Sequence, residues 1–239
     1  MKIILDTETE RVFYEPGEGN NTLVCFSGID FDVFGFNNYN PEAIDRPEFV
    51  KVTAGIGDRF WVIDKKRSWG CYIDYENLNT FLSPYFEGKN VVALGSCMGA
   101  TNAIKFAYYT DVNRVIAFTP HWSGDENELP GFWFDKRTKF VRDRAMATGW
   151  KTLDGWFRPM TTYIMLWSPD IIDVPHMIKF PALPNIKPLF IVKSNHSIAR
   201  FIKMFGVLPD MLGECITAKD PQLGASKVLD KAGILHELF

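Results

Sequence analysis

Val91-Val92-Ala93-Leu94-Gly95-Ser96-Cys97-Met98-Gly99-Ala100 runs without interruption into Thr101-Asn102-Ala103-Ile104-Lys105-Phe106-Ala107. The run Val91 to Leu94 is short, apolar and partly β-branched, as in a strand covered on both faces, whereas Ala100, Ala103, Ile104 and Ala107 recur at helical spacing. Cys97 therefore falls at a sharp strand-to-helix turn. A side chain at such an apex strains its own backbone and leaves no room for a Cβ two residues away on either side. Those two positions are Gly95 and Gly99. The pattern is G-x-S-x-G with Cys in place of Ser, the spelling of a nucleophile elbow. At the start of a helix, free N–H groups and the helix dipole favour a thiolate and later an oxyanion. The same spelling also fits an inert cysteine packed in a turn, since free Cys is a common small core residue.

Working outward, the chain alternates strands with helices. Lys2 to Leu5 and Arg11 to Tyr14 read as a hairpin at a sheet edge, and Thr22 to Phe26 as an inner strand ending at Ser27-Gly28. An aromatic loop, Ile29 to Phe36, follows. Arg59 to Ile63, Arg114 to Phe118, Thr162 to Trp167 and Leu189 to Val192 are further strands. Tyr75, Leu78, Leu82 and Tyr85 have helical spacing, with Asp74 as a cap and Pro84 as a stop. Ile198, Phe201, Ile202 and Phe205 form the apolar stripe of another helix. In the tail, Pro209, Gly213, Pro221 and Gly224 read as breaks before a last helix at about 225–232. Alternating elements of this kind predict an α/β fold, a mostly parallel central sheet flanked by helices.

From His121 to Thr161 the pattern changes, with Trp122, Phe132, Trp133, Phe134, Trp150, Trp156 and Phe157 scattered among charges, Gly and Pro. This reads as a lid or cap inserted at 121–161 within a single domain spanning 1–239. Its middle carries Lys136, Arg137, Lys139, Arg142, Arg144 and Lys151. Those cations fit either a solvated helix face or a basic, aromatic cover over an anionic or acylated substrate.

Composition narrows the function classes. The 239 residues are 46% hydrophobic, enough for a large core, and a net charge of -3 argues against a nucleic-acid-binding surface. Cys25, Cys71, Cys97 and Cys215 include no C-x-x-C pair, and the four histidines show no short ligand spacing, so neither a disulfide framework nor a metal site or other cofactor is expected. The amino terminus meets Asp6 too early for a signal peptide, and no apolar run approaches the roughly 18 residues of a membrane span. These features predict a soluble cytoplasmic protein, not a membrane partner, that acts on a small molecule; they leave the oligomeric state open.

In open α/β sheets ligands gather at the carboxyl ends of the strands. Three reactive residue types stand at such ends: Cys97, Asp170 after Trp167, and His196 after Val192. The order nucleophile, acid, histidine resembles that of the α/β-hydrolase superfamily, and the resemblance covers roughly 22–202. A Cys at the elbow is similar to dienelactone hydrolases. The Ser27-Gly28-Ile29 loop and the aromatic insertion look more like small bacterial hydrolases tied to surface polysaccharide loci. The resemblance implies a Cys-His-Asp triad in which His196 exchanges protons with Cys97, and Asp170, or alternatively Asp173, fixes the imidazole. It implies an oxyanion hole from the backbone N–H of Met98 and that of Gly28 or Ile29. His121 and Trp122 are candidates for substrate contact, with a structural role as the alternative for His121. His176 and His236 read as surface residues. Three functions remain open: an acyl hydrolase of an ester, thioester or lactone; an acyltransferase using the same triad; and a non-catalytic binding protein on the same fold.

Overall fold

Apolar residues recur at every second position along the inner strands, and the two sets they form face opposite ways. In the computed structural model, which describes residues 1–29, 47–125, 127–129, 147 and 149–238, those sets become two separate cores. The strands are β1 (Lys2–Asp6), β2 (Glu10–Glu15), β3 (Asn21–Phe26), β4 (Asp58–Asp64), β5 (Asn90–Ser96), β6 (Arg114–Phe118), β7 (Thr162–Trp167), β8 (Ile186–Ile191) and β9 (His236–Leu238). They form one sheet in the order β1-β2-β4-β3-β5-β6-β7-β8-β9. From β4 through β8 neighbours run parallel, and the edges close with antiparallel β1, β2 and β9.

Helices α1 (Tyr75–Leu82) and α2 (Met98–Tyr109) cover one face, meeting Val24, Phe60, Ala93, Val115 and Met165. Helices α4 (Ile198–Met204), α5 (Leu208–Thr217) and α6 (Pro221–Lys231) cover the other, meeting Leu23, Leu94, Ile116, Ile164 and Leu189. The short α3 (Val174–Met177) follows β7. Burying each such Leu, Ile, Val or Met contributes about 1.5–3 kcal/mol. This two-sided burial is why the central strands read as continuous apolar runs.

The expected hairpin, inner strands and α1 form where the sequence places them, and Asp74 caps α1 by accepting the N–H of Asn77 at 3.0 Å. The tail differs. Pro209 and Pro221, read as breaks, each sit in the first turn of a helix, where a missing N–H costs nothing and a fixed φ helps. Asp220 caps α6 through the N–H of Leu223. Pro188 lies inside β8 at a position that β9, paired only along Leu189 to Ile191, does not reach.

Two expectations fall partly outside the described residues: the aromatic loop beyond Ile29 and the basic middle of the 121–161 stretch. The flanks of that stretch pack inward. Trp150 and Leu153 are buried against the α2 side of the sheet, and Ser123 bridges Thr152. Among the described residues no helix is long and apolar enough to cross a membrane.

Candidate active site

β5 ends at Ser96 and α2 begins at Met98, so Cys97 alone makes the turn, at φ 54° and ψ -119°. That conformation costs a non-glycine residue about 1–3 kcal/mol and persists only where the surroundings enforce it. Here the Cys97 N–H donates to the Phe118 carbonyl at 2.8 Å, and its own carbonyl accepts from Ala100 and Thr101. A Cβ on Gly95 would lie 2.2 Å from the Gly99 backbone, and one on Gly99 would lie 2.2 Å from the Phe26 carbonyl oxygen. Both glycines are thus required by backbone meeting backbone.

His196 follows β8 and brings its ring to Cys97. The Sγ of Cys97, Nε2 of His121 and a ring nitrogen of His196 all lie within 4.8 Å of one another. Behind His196, its Nδ1 meets Oδ1 of Asp173 at 2.6 Å, and Asp173 is only 1% exposed. The carboxylate on the imidazole is therefore the alternative, Asp173, and not Asp170. The reason is local. After Pro169 the chain curls into α3, the Asp173 N–H bonding the Asp170 carbonyl at 2.9 Å, which carries Asp173 one turn onward and under the ring. The Ser168 hydroxyl donates to Asp173 Oδ2 and also accepts the Asp170 N–H. Asp170 instead takes backbone N–H groups, from His196 at 3.2 Å and Ile172 at 3.0 Å. It anchors the histidine loop and lines the cavity.

Burial pushes the His196 pKa down, but the Cys97 sulfur and the Asp173 carboxylate outweigh it and hold the ring well above its ordinary value. Sulfur, imidazole and carboxylate thus stand in line at the carboxyl ends of β5, β8 and β7.

No family model and no curated protein matches this sequence. Solved structures do. The capsule O-acetyltransferase of Neisseria meningitidis serogroup A superposes with a TM-score of 0.54 at 13% identity, over 85% of this chain and 92% of that one. A carboxylesterase structure from Nitrososphaera gargenis gives 0.56 at 12% identity, over 89% and 98%. An α/β hydrolase from a Medee basin deep-sea metagenome gives 0.55 at 15% identity, over 87% and 95%. The fold is that of the α/β hydrolases.

In this hydrolase fold the thiol opens onto a cavity of about 770 Å³ lined by Gly28, Ile29, Phe49, Trp69, His121 and His196 among others. Gly28 and Ile29, expected near the oxyanion, lie on its wall; a Cβ on Gly28 would come 2.7 Å from the Ser96 carbonyl. Met98 is the first residue of α2, where N–H groups have no intrahelical acceptor. Lys51, Arg200 and Lys203 also line the cavity, and among the described residues none of the three forms an ion pair.

His121, a candidate for substrate contact, lines this cavity and is 3% exposed. Its Nε2 is 3.9 Å from Cys97 Sγ, and its backbone is clamped by Thr101, whose Oγ1 bonds both the His121 carbonyl and N–H. Its ring stacks on Trp69 at 5.4 Å and on His176 at 4.3 Å. Burial and the neighbouring His176 and His196 rings push its pKa well below the ordinary value. Trp122 is not part of the cavity wall: it packs on Phe180 in the core, and its backbone N–H donates to His176 Nδ1 at 2.9 Å. His176 is fully buried rather than on the surface, its pKa pushed down to about 3 by burial. His236 likewise bonds Ser226, at 2.6 Å.

Sequence reasoning missed three supports. Asp64, at the end of β4, is buried and accepts the N–H groups of Lys66, Ser68 and Gly70 and the Ser68 hydroxyl. It shapes the turn that presents Trp69. From the other side, Lys105 Nζ on α2 donates to the Trp69 carbonyl at 2.7 Å and lies 4.2 Å over the Trp150 ring. An Asp followed by Ser and Gly at turn spacing was the available signal. For Thr101, four residues past the apex, no pattern in the sequence points to its role.

Proposed function

We propose that this protein is an acyl-transfer enzyme, a hydrolase of an ester, thioester or lactone that works through an acyl-Cys97 intermediate. The observation that carries this reading is the continuous line from Asp173 through His196 to a strained, cavity-facing Cys97. The Cys97 thiolate attacks the substrate carbonyl carbon, and His196, made cationic by the thiol proton, donates that proton to the leaving group. Asp173 holds the imidazole tautomer and balances its charge. The developing oxyanion is met by the N–H of Met98 and that of Gly28 or Ile29. In the second half His196 takes a proton from water, which attacks the acyl carbon and regenerates the thiolate.

One observation favours an alternative acceptor. Lys51, Arg200 and Lys203 line the cavity with the carboxylates of Glu48 and Asp170, an excess of cations that suits an acyl donor carrying phosphate, and the Neisseria meningitidis neighbour is an O-acetyltransferase. A donor held there while water is excluded would pass its acyl group to an alcohol. Short-chain p-nitrophenyl esters and acyl-CoA thioesters, each with and without a sugar acceptor, test both readings in native protein, Cys97→Ala and His196→Ala. Loss of turnover in both variants is expected. Equal turnover in all three proteins removes the triad, and acyl-sugar formed in preference to free acid replaces hydrolysis by transfer.

A further inference from the structure

The acyl-transfer steps use one imidazole, that of His196, yet a second buried one, that of His121, stands 3.9 Å from the sulfur. We propose that Cys97, His121 and His196 together form a Zn²⁺ site that switches off the nucleophile by occupying it. Cys97 Sγ and His121 Nε2 are 3.9 Å apart, and the ligand atoms of all three residues lie within 4.8 Å of one another. A tetrahedral zinc with Zn–S near ~2.3 Å and Zn–N near ~2.0–2.1 Å needs ligand atoms about 3.4–3.6 Å apart. The ligand atoms are therefore between about 0.3 Å and at most about 1.4 Å from a closed ligand triangle.

The surroundings are those of a built site. His196 Nδ1 is committed to Asp173, which leaves Nε2 for the cavity side and gives the carboxylate–histidine pairing that orients a zinc ligand. His121 is fixed in place by the Thr101 clamp and by stacking between Trp69 and His176. All three residues line the cavity, from which a water could complete the coordination. One sulfur and two imidazoles select a borderline-soft ion over Mg²⁺ or Ca²⁺, which take oxygen ligands.

When Zn²⁺ binds, the S–H proton and any second proton on His196 pass to solvent, and the freed lone pairs go to the metal. No electrons are transferred. The sulfur can then neither attack a carbonyl nor be alkylated, and His196, still protonated at Nδ1, can no longer take up or give a proton at Nε2. Inhibition of turnover rests on the acyl-enzyme reading; binding of the ion does not.

Metal-stripped full-length protein titrated with Co²⁺ gives the test, because a thiolate ligand adds a sulfur-to-cobalt charge-transfer band in the near ultraviolet. The expected result is such a band at one equivalent, displaced by one equivalent of Zn²⁺ and absent in Cys97→Ser. Zn²⁺ should slow iodoacetamide alkylation of Cys97 by about 100-fold at saturation, and His121→Gln should weaken Zn²⁺ by at least about tenfold. Thermal unfolding checks that His121→Gln is folded; if it is not, His196→Gln supplies the same loss of one ligand. No charge-transfer band, an affinity unmoved by loss of the histidine, or undiminished alkylation under Zn²⁺ overturns the site. These readouts are spectral and chemical, so a protein that fails to turn over esters can still bind the ion, and one that turns them over indifferently to Zn²⁺ refutes only the metal.

Discussion

Replacing the two acids after β7 one at a time separates their roles. Asp173 is buried and makes a 2.6 Å charge-assisted bond to His196 Nδ1. Such a bond contributes up to about 3 kcal/mol, and at ~1.36 kcal/mol per decade its loss alone lowers acylation about 100-fold. Asparagine can also present its amide N–H to Nδ1 and so select the wrong tautomer, which in serine triads brings the loss to about 10⁴-fold. Asp173→Asn should therefore lower kcat/KM between about 10²- and 10⁴-fold, and the His196 ring should titrate at lower pH because one of the groups holding it up is gone. At Asp170 the carboxylate accepts a backbone N–H on each oxygen, that of Ile172 on Oδ1 and that of His196 on Oδ2, and an Asn keeps one of the two. Losing the other bond costs about 1 kcal/mol, or about fivefold. The assay is kcat/KM on an activated ester with NMR titration of the histidine. A collapse in Asp170→Asn beside near-native activity in Asp173→Asn refutes the reasoning.

Gly99→Ala places a Cβ 2.2 Å from the Phe26 carbonyl oxygen, so backbone must move, and the urea midpoint should fall by the equivalent of about 3 kcal/mol; a loss under about 0.5 kcal/mol would mean the elbow can relax. Limiting iodoacetamide should label Cys97 well before the buried Cys25 and Cys215, since burial pushes the Cys25 thiol far up and that of Cys215 up to about 12; peptide mapping that finds either modified first contradicts this. Asp58 is lowered below its ordinary pKa: burial pushes it up, but the Lys89 ammonium, the Gly17 N–H and the Tyr14 hydroxyl outweigh it. Its stabilisation is complete above the unfolded value of about 3.9 and lost as pH falls through the depressed folded value. In Asp58→Asn, melting temperatures should therefore be lower at neutral pH and decline less steeply in acid, and an unchanged acid slope would exclude the pair.

Much of this was readable in the residues because the local signals agreed with one another. Gly95 and Gly99 could only flank an apex, and two-sided apolar runs could only be inner strands. The His196 position followed from the order of strand ends. The acid was ambiguous because sequence fixes distance from a strand end but not the curl that Pro169 and the start of α3 impose, and that curl exchanged Asp170 for Asp173. Pro209 and Pro221 misled for a related reason, since proline ends a helix from inside but opens one from its first turn. Trp122 and His176 concern side-chain direction and pairing between distant segments, which no spacing rule encodes.

The Asp64 carboxylate bears on the cavity through Trp69, whose turn it gathers with four accepted bonds and whose ring rests on His121. A residue that meets no substrate thereby dictates the shape of one wall. Saturation mutagenesis scored on turnover should accordingly light up a second island of intolerance at Asp64, Ser68 and Gly70, none of which lines the cavity, so that an inspection of the lining alone would mark them as expendable.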